Sequence, residues 1–330
     1  MNRPEDYKNA FDDITPWSGI VPQGYIVDYF GVLTKVAYRT MWLSDPHSAD
    51  QERHVVTQFP PMGDGDNNEA WFEALSTVLA VREARGNFIM MTLGAHYGMQ
   101  ASWAYKALQM LNPMPCKLVA VDAGPENCQW IAEHFRDNGI PSNDYWLLQM
   151  AMSGNNDPVF FPVGASGSGA NNCVATNDTN ARLGYIEDFV KSKKTNEALR
   201  NLLLHNTTGI IKNLTPGRST LAEIKLVSAI ALADLLGPFT RVDYIEADIQ
   251  SSEILVFPPA IELLNQKVRR IHLGTHGEDV HKTLHKLFVD NGWEIMFSYE
   301  GGITHQTALG PTLANDGLLT AINPRMAYQK

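Results

Sequence analysis

From Phe88 onward the chain alternates short apolar runs with helical patterns, and this alternation constrains the fold more than any other feature. The first run, Phe88-Ile-Met-Met-Thr-Leu93, stops abruptly at Gly94-Ala-His-Tyr-Gly98. A helical pattern follows, with Ala101, Ala104, Leu108 and Leu111 on one face. The second run covers Lys117 to Ala123. Its helix starts at Pro125, a favoured first helical position, buries Cys128, Ile131 and Phe135, and stops at Asn138-Gly139. A third strand is expected over Tyr145 to Ser153, and Val159-Phe160-Phe161 follows a polar turn. Apolar strands separated by helices predict an α/β fold with a doubly wound, mostly parallel, Rossmann-like sheet of seven strands.

The alternation breaks over residues 164–180, which are rich in Gly, Ser, Asn, Ala and Thr, and a charged helix is expected at 186–204. Such a segment reads either as a surface loop or as a lid over a binding site. Regular structure resumes with a strand at Val242 to Ile249. A helix from Ser252, interrupted at Pro258-Pro259, leads to a strand at Val268 to Leu273 and a helix at Asp279 to Asp290. Trp293 to Tyr299 and Gly317 to Ile322 are expected as an antiparallel pair at the sheet edge. Upstream, a strand is expected at Tyr25 to Tyr29 and a helix over 69–85. The expected organisation is an N-terminal extension, 1–85, capping a core domain, 86–330, that carries an insertion at 164–215.

Composition narrows the partners. The net charge is −10, so binding to nucleic acid or an anionic membrane, which needs clustered Lys and Arg, is not expected. The three cysteines, Cys116, Cys128 and Cys173, form no CxxC pair, which fits a reducing, cytoplasmic setting. Met1 to Lys8 lacks a secretory pattern. The apolar stretch from Leu226 to Phe239 is interrupted by Asp234 and is too short to span a bilayer.

Glycines at the end of the first strand let the backbone approach a ligand and turn helix amides towards it. Asp122 ends the neighbouring strand, where a carboxylate can accept hydrogen bonds from ribose hydroxyls or, alternatively, cap the helix at Pro125. No Gly-Lys-Ser/Thr follows the glycines, which excludes a P-loop, and the spacing is not G-x-G-x-x-G. A sulfonium nucleoside needs a ribose clamp without a pyrophosphate cradle, so S-adenosylmethionine fits.

Four ordered segments carry a resemblance. They are Leu93-Gly-Ala-His-Tyr-Gly98, Val121-Asp-Ala-Gly-Pro-Glu-Asn127, Gln149-Met-Ala-Met-Ser153, and Val242-Asp-Tyr-Ile-Glu-Ala-Asp-Ile-Gln-Ser-Ser-Glu253. Together they resemble the FkbM-type S-adenosylmethionine-dependent methyltransferases, which have the class I methyltransferase fold. The resemblance covers roughly residues 86–325 apart from the insertion. It implies a cofactor site of Thr92, Gly94, Ala95, His96, Tyr97, Gly98, Asp122, Ala123, Gln149, Ala151 and Asp248. The family usually has an acidic residue at the position of Thr92, bulky His96 replaces a small residue, and Ser251-Ser252 replaces Gly-Ala.

Asp248 ends the fourth strand at the sheet edge where ligands sit. Glu253 is either functional or a favourable charge at a helix start. His276 is the leading candidate for a general base because imidazole titrates near neutral pH, and His96 is the second. His272 lies on the same strand as His276. His281 and His285 alternate with Lys282 and Lys286 and read as solvated surface, and no metal ligands are assigned. The expected activity is O-methylation of a hydroxyl on a small molecule, sugar or natural product. The alternatives are N-methylation of an amide or peptide, and a non-catalytic binding domain with a degenerate cofactor loop. The acceptor is therefore a small molecule, glycan or peptide, and the oligomeric state is open.

Overall fold

The computed structural model describes residues 4–39, 49–59, 69–163, 210–215, 218–307, 310–314 and 316–328. Seven strands form the central sheet: β1 (Phe88–Leu93), β2 (Cys116–Asp122), β3 (Tyr145–Gln149), β4 (Val242–Ala247), β5 (Val268–Thr275), β6 (Glu294–Tyr299) and β7 (Gly317–Ile322). Their spatial order is β3-β2-β1-β4-β5-β7-β6. The first five are mutually parallel, and β7 runs antiparallel to both β5 and β6. This is the doubly wound, mostly parallel, seven-stranded arrangement expected from the sequence.

Six helices are described: α1 (Glu69–Glu83), α2 (Met99–Leu111), α3 (Pro125–Asp137), α4 (Leu232–Leu236), α5 (Glu253–Lys267) and α6 (Glu278–Asp290). Strands buried on both faces read as nearly continuous apolar runs, which is why β1, β2 and β4 are so visible in the sequence. One face of β1, through Phe88 and Met90, packs with Tyr244 against α1, α2 and α3. The other face, through Met91 and Leu93, packs with Ile245 and Ile271 against α4, α5 and α6. Burying each large side chain stabilises the fold by about 1.5–3 kcal/mol.

The N-terminal extension is stitched into this core. Tyr29, Phe30 and Val32 join the cluster on the α1–α3 side. The Asp28 carboxylate accepts from the Trp103 indole N–H and from the Phe30 and Val32 amides. Asn138 pairs with both backbone groups of Leu33. His134 is fully buried, with Thr34 Oγ1 3.1 Å from one ring nitrogen and Ser102 Oγ 3.3 Å from the other.

Several expectations need correction. The strand expected over Tyr145 to Ser153 divides at Met150, and Ala151–Ser153 pairs instead with Ala229–Ala231. The antiparallel pair expected at the sheet edge is there, with β6 outermost and β7 between it and β5. α5 continues through Pro258 and Pro259. Each proline removes one amide donor, but Val256, Phe257, Ala260 and Leu264 bury the helix on both sides of the pair. Residues 210–215 fall in the expected insertion yet form a strand, antiparallel to Arg218–Val227, which also pairs with Val159–Val163. The helix expected at 186–204 lies outside the described residues. No described helix is long and apolar enough to cross a membrane.

His134 gives a pH test of the packing between extension and core. Burial lowers its pKa from 6.5 to about 4. The folded protein therefore binds this proton less readily than the unfolded chain, and its contribution to stability is present above about 6.5 and lost as pH falls towards 4. In urea titrations, the stability advantage of wild type over His134→Gln should shrink across that window. An advantage independent of pH would show that the imidazole is not held neutral.

Candidate functional site

The strand order reverses between β1 and β4, and the carboxyl ends of these strands form the crevice where open α/β sheets bind ligands. Here the two strands meet very closely. The Asp248 amide donates to the Leu93 carbonyl at 3.0 Å. Gly94 has φ +80°, and a Cβ on it would lie 2.2 Å from the Asp248 carbonyl oxygen. Gly98 has φ +81°, and a Cβ there would meet the Phe135 ring at 2.7 Å. The two glycines therefore let the loop close on β4 and let α2 start against α3. Gly98 also gives α2 no side-chain cap, so the first-turn amides of that helix lack the usual acceptor.

Asp122 locks the loop. Its Oδ2 accepts from the His96 amide at 2.8 Å, while Oδ1 accepts from the Gly124 amide and the Asn127 side chain. None of these donors is a first-turn backbone amide of α3, so Asp122 does not cap that helix, and three donors leave room on a carboxylate with about four acceptor positions. Burial raises its pKa to about 6, against these hydrogen bonds. Gln149 is the Cα partner of Asp122 in β3 and is exposed at the same edge. Ala123 is buried beside Asp122, and Ala151 is buried in the short pair with Ala229. Ala95 and Tyr97 are also buried. The His96 ring packs edge-on against Trp130, 5.9 Å away, and burial lowers its pKa to about 4, which makes it a weak base.

Asp248 and His276 come together at the ends of β4 and β5, as expected. The His276 Nε2 lies 3.2 Å from Asp248 Oδ1 and 3.6 Å from Asp316 Oδ2, and Nδ1 lies 3.7 Å from Glu253 Oε1. Burial alone would lower the His276 pKa, but the Glu253, Asp248 and Asp316 carboxylates outweigh it and raise it to about 9. These carboxylates thus move the imidazole above the neutral range expected of a general base. Glu253 does more than complement a helix dipole: it is fully buried and accepts from the Ile249 amide at 2.8 Å. The connecting loop holds Gln250 at φ 55° and Ser251 at φ 73°, a conformation that non-glycine residues seldom adopt. Ser251 Oγ donates to the His276 carbonyl, which ties this strained turn to β5.

More carboxyl groups lie on the α1 side of the sheet than the motifs revealed. Thr92 is fully buried with no partner for its hydroxyl, and its Cα partner is the buried Glu246. Burial and the Glu73, Asp248 and Glu253 charges push the Glu246 pKa well up. Glu73 of α1 is raised to about 8 by burial and by Glu69 and Asp248, against a hydrogen bond with Gln100. The signal for Glu246 was present, since a glutamate inside an apolar parallel strand is seldom buried without a reason. Nothing local marked Glu73 or Asp316.

Two histidines stand apart from this cluster. His272 is buried between Ser76 and Thr320, and burial lowers its pKa to about 3. His281 is buried rather than solvated, with Thr275 Oγ1 2.9 Å from one ring nitrogen and Ser298 Oγ 2.8 Å from the other. It sits in the first turn of α6, facing the end of β5, so the neighbouring lysines were a poor guide to its environment.

No family model matches the chain. A protein of Jannaschia sp. (strain CCS1) named "Putative methyltransferase" is 23% identical over 256 residues, which span 78% of this chain and 80% of that protein. Among solved structures, the methyltransferase FkbM from Methylobacillus flagellatus KT is similar over 72% of this chain and 44% of its own, with 8% identity and a TM-score of 0.39. The O-methyltransferase TomG from Streptomyces achromogenes is similar over 77% of this chain and 79% of its own, with 13% identity and a TM-score of 0.37.

The Gly94 contact is open to a direct test. Gly24 also has positive φ, +80°, but nothing lies within 4 Å of a Cβ there. Gly24→Ala should therefore cost only the backbone strain of about 1–2 kcal/mol. Gly94→Ala should cost roughly 1–3 kcal/mol more, because the methyl group meets backbone. Equal losses in chemical denaturation would remove the close contact between loop and β4.

Proposed function

We propose that the chain is an S-adenosylmethionine-dependent methyltransferase acting on a hydroxyl of a small molecule, sugar or natural product. The observation that carries this reading is the glycine loop at the reversal of strand order, bonded through its His96 amide to the carboxylate that ends the next strand. The similarity to the Jannaschia protein over most of both chains supports it, and so does the FkbM-type pattern of the four sequence segments.

The residues at the site fit the cofactor. Asp122 retains acceptor capacity for a ribose hydroxyl, and exposed Gln149 flanks the neighbouring edge position. Asp248, half exposed at the switch point, and its neighbours Glu253 and Asp316 offer carboxylates to a sulfonium or an ammonium group. When bound, the cofactor supplies an activated methyl group. The contribution of the chain is orientation, which in favourable cases lowers a barrier by about 7–11 kcal/mol. Asp248, with a side chain 48% exposed, is the group best placed to accept a hydrogen bond from an acceptor hydroxyl and draw its proton. His276, 3.2 Å away, fixes that carboxylate.

Calorimetry with S-adenosylhomocysteine tests this reading. One molecule should bind per chain, and Asp122→Asn should weaken it by roughly 13- to 160-fold, the equivalent of the about 1.5–3 kcal/mol of a hydrogen bond to a charged group. Circular dichroism should show that the variant keeps its fold. Labelled-methyl transfer to hydroxyl-bearing metabolites then identifies the acceptor. Absence of binding at millimolar concentration would overturn the proposal.

A further inference from the structure

His276 is unusual among the described histidines. Neither ring nitrogen reaches solvent or makes an aligned hydrogen bond, although carboxylates stand 3.2–3.7 Å away. Glu253, fully buried, likewise has no partner for Oε2. Leaving one buried polar atom unsatisfied costs about 1–3 kcal/mol, and native proteins seldom tolerate it unless a water or ion completes the set. Here the orphaned atoms belong to two adjoining residues at one point of the sheet edge.

The spacing of the surrounding groups suits an ion. One ligand atom each from Asp248, Glu253 and His276 can be chosen so that all lie within 4.8 Å of one another. Asp248 approaches Nε2 of the imidazole at 3.2 Å, and Glu253 approaches Nδ1 at 3.7 Å. Ligand bonds of about 2.0–2.2 Å, opening at tetrahedral or octahedral angles, place neighbouring ligand atoms roughly 3–3.6 Å apart. A histidine that binds a metal through one nitrogen is usually oriented by a carboxylate at the other. Asp248 and Asp316 stand on the Nε2 side of the ring and Glu253 on the Nδ1 side, so carboxylates are present for both roles.

We propose that Asp248, Glu253 and His276 form a binding site for one divalent first-row cation of the Mn2+ type. Two carboxylates favour a hard ion and one imidazole favours a borderline one, and Mn2+ satisfies both. Such an ion displaces the imidazole proton, accepts the free electron pairs of His276 and Glu253, and neutralises carboxylates that otherwise repel. The site stands on its own geometry, whether or not the chain transfers methyl groups. If the methyl-transfer reading holds, the ion lies at the acceptor edge, where it can polarise an acceptor hydroxyl.

The test is titration of Mn2+ into the chelator-treated full chain, with the electron paramagnetic resonance signal of free Mn2+ as the readout. One ion should bind per chain. Asp248→Asn and His276→Ala should each weaken binding by about tenfold or more, while His285→Ala should not change it. Asp248 is half exposed, so its conservative variant should keep the fold, and circular dichroism checks this. The proposal is overturned if no saturable binding occurs up to about 1 mM, the weak end of natural divalent-ion sites. It is equally overturned if wild type and both variants bind alike.

Discussion

The close contact between the ends of β1 and β4 is the constraint on which the site depends. Gly94 closes on the Asp248 carbonyl so tightly that no side chain fits. The same contact aligns the glycine loop with Asp122 and sets Asp248 at the crevice. A looser join would separate the Asp122 end of the crevice from its acidic end. The glycines of this loop thus act first on the chain itself, and any ligand meets a surface that this packing has already shaped.

Electrostatics at the site follow from convergence. Glu73 arrives on α1, Glu246 lies within β4, Asp248 and Glu253 flank a strained loop, and Asp316 precedes β7. Each is an ordinary acid in sequence. Burial, with Glu69 and Asp248, raises the Glu73 pKa; burial, with Glu73, Asp248 and Glu253, raises that of Glu246; and Glu253, Asp248 and Asp316 raise that of His276. Such a field favours positive charge, whether from a proton, a sulfonium or a metal ion, and disfavours an anionic ligand at this end.

The parts legible in the sequence were local. β1, β2 and β4 are apolar runs, Asp122 and Asp248 stand at their ends, and Pro125 marks the start of a helix. Side chains that reach the site from elements distant in sequence left no local mark, which is why Glu73 and Asp316 went unread. Thr92 was singled out where an acid was expected, and the carboxyl groups on its face of the sheet come instead from Glu246 and Glu73. The Pro258-Pro259 pair misled for another reason: its cost in lost amide bonds is local, and the burial that offsets it is not.

The position of β7 has a consequence for how the fold is reached. β5 and β6 precede it in the chain but do not pair with each other; both pair with β7. During synthesis each therefore presents an unpaired backbone edge until the last strand of the sheet inserts between them. That half of the sheet cannot assemble in the order in which it is made, and its open edges invite pairing with other chains in the interval. The Asp316 carboxylate, one residue before β7, reaches His276 only at that final step, so closure of the sheet and completion of the acidic cluster are a single event.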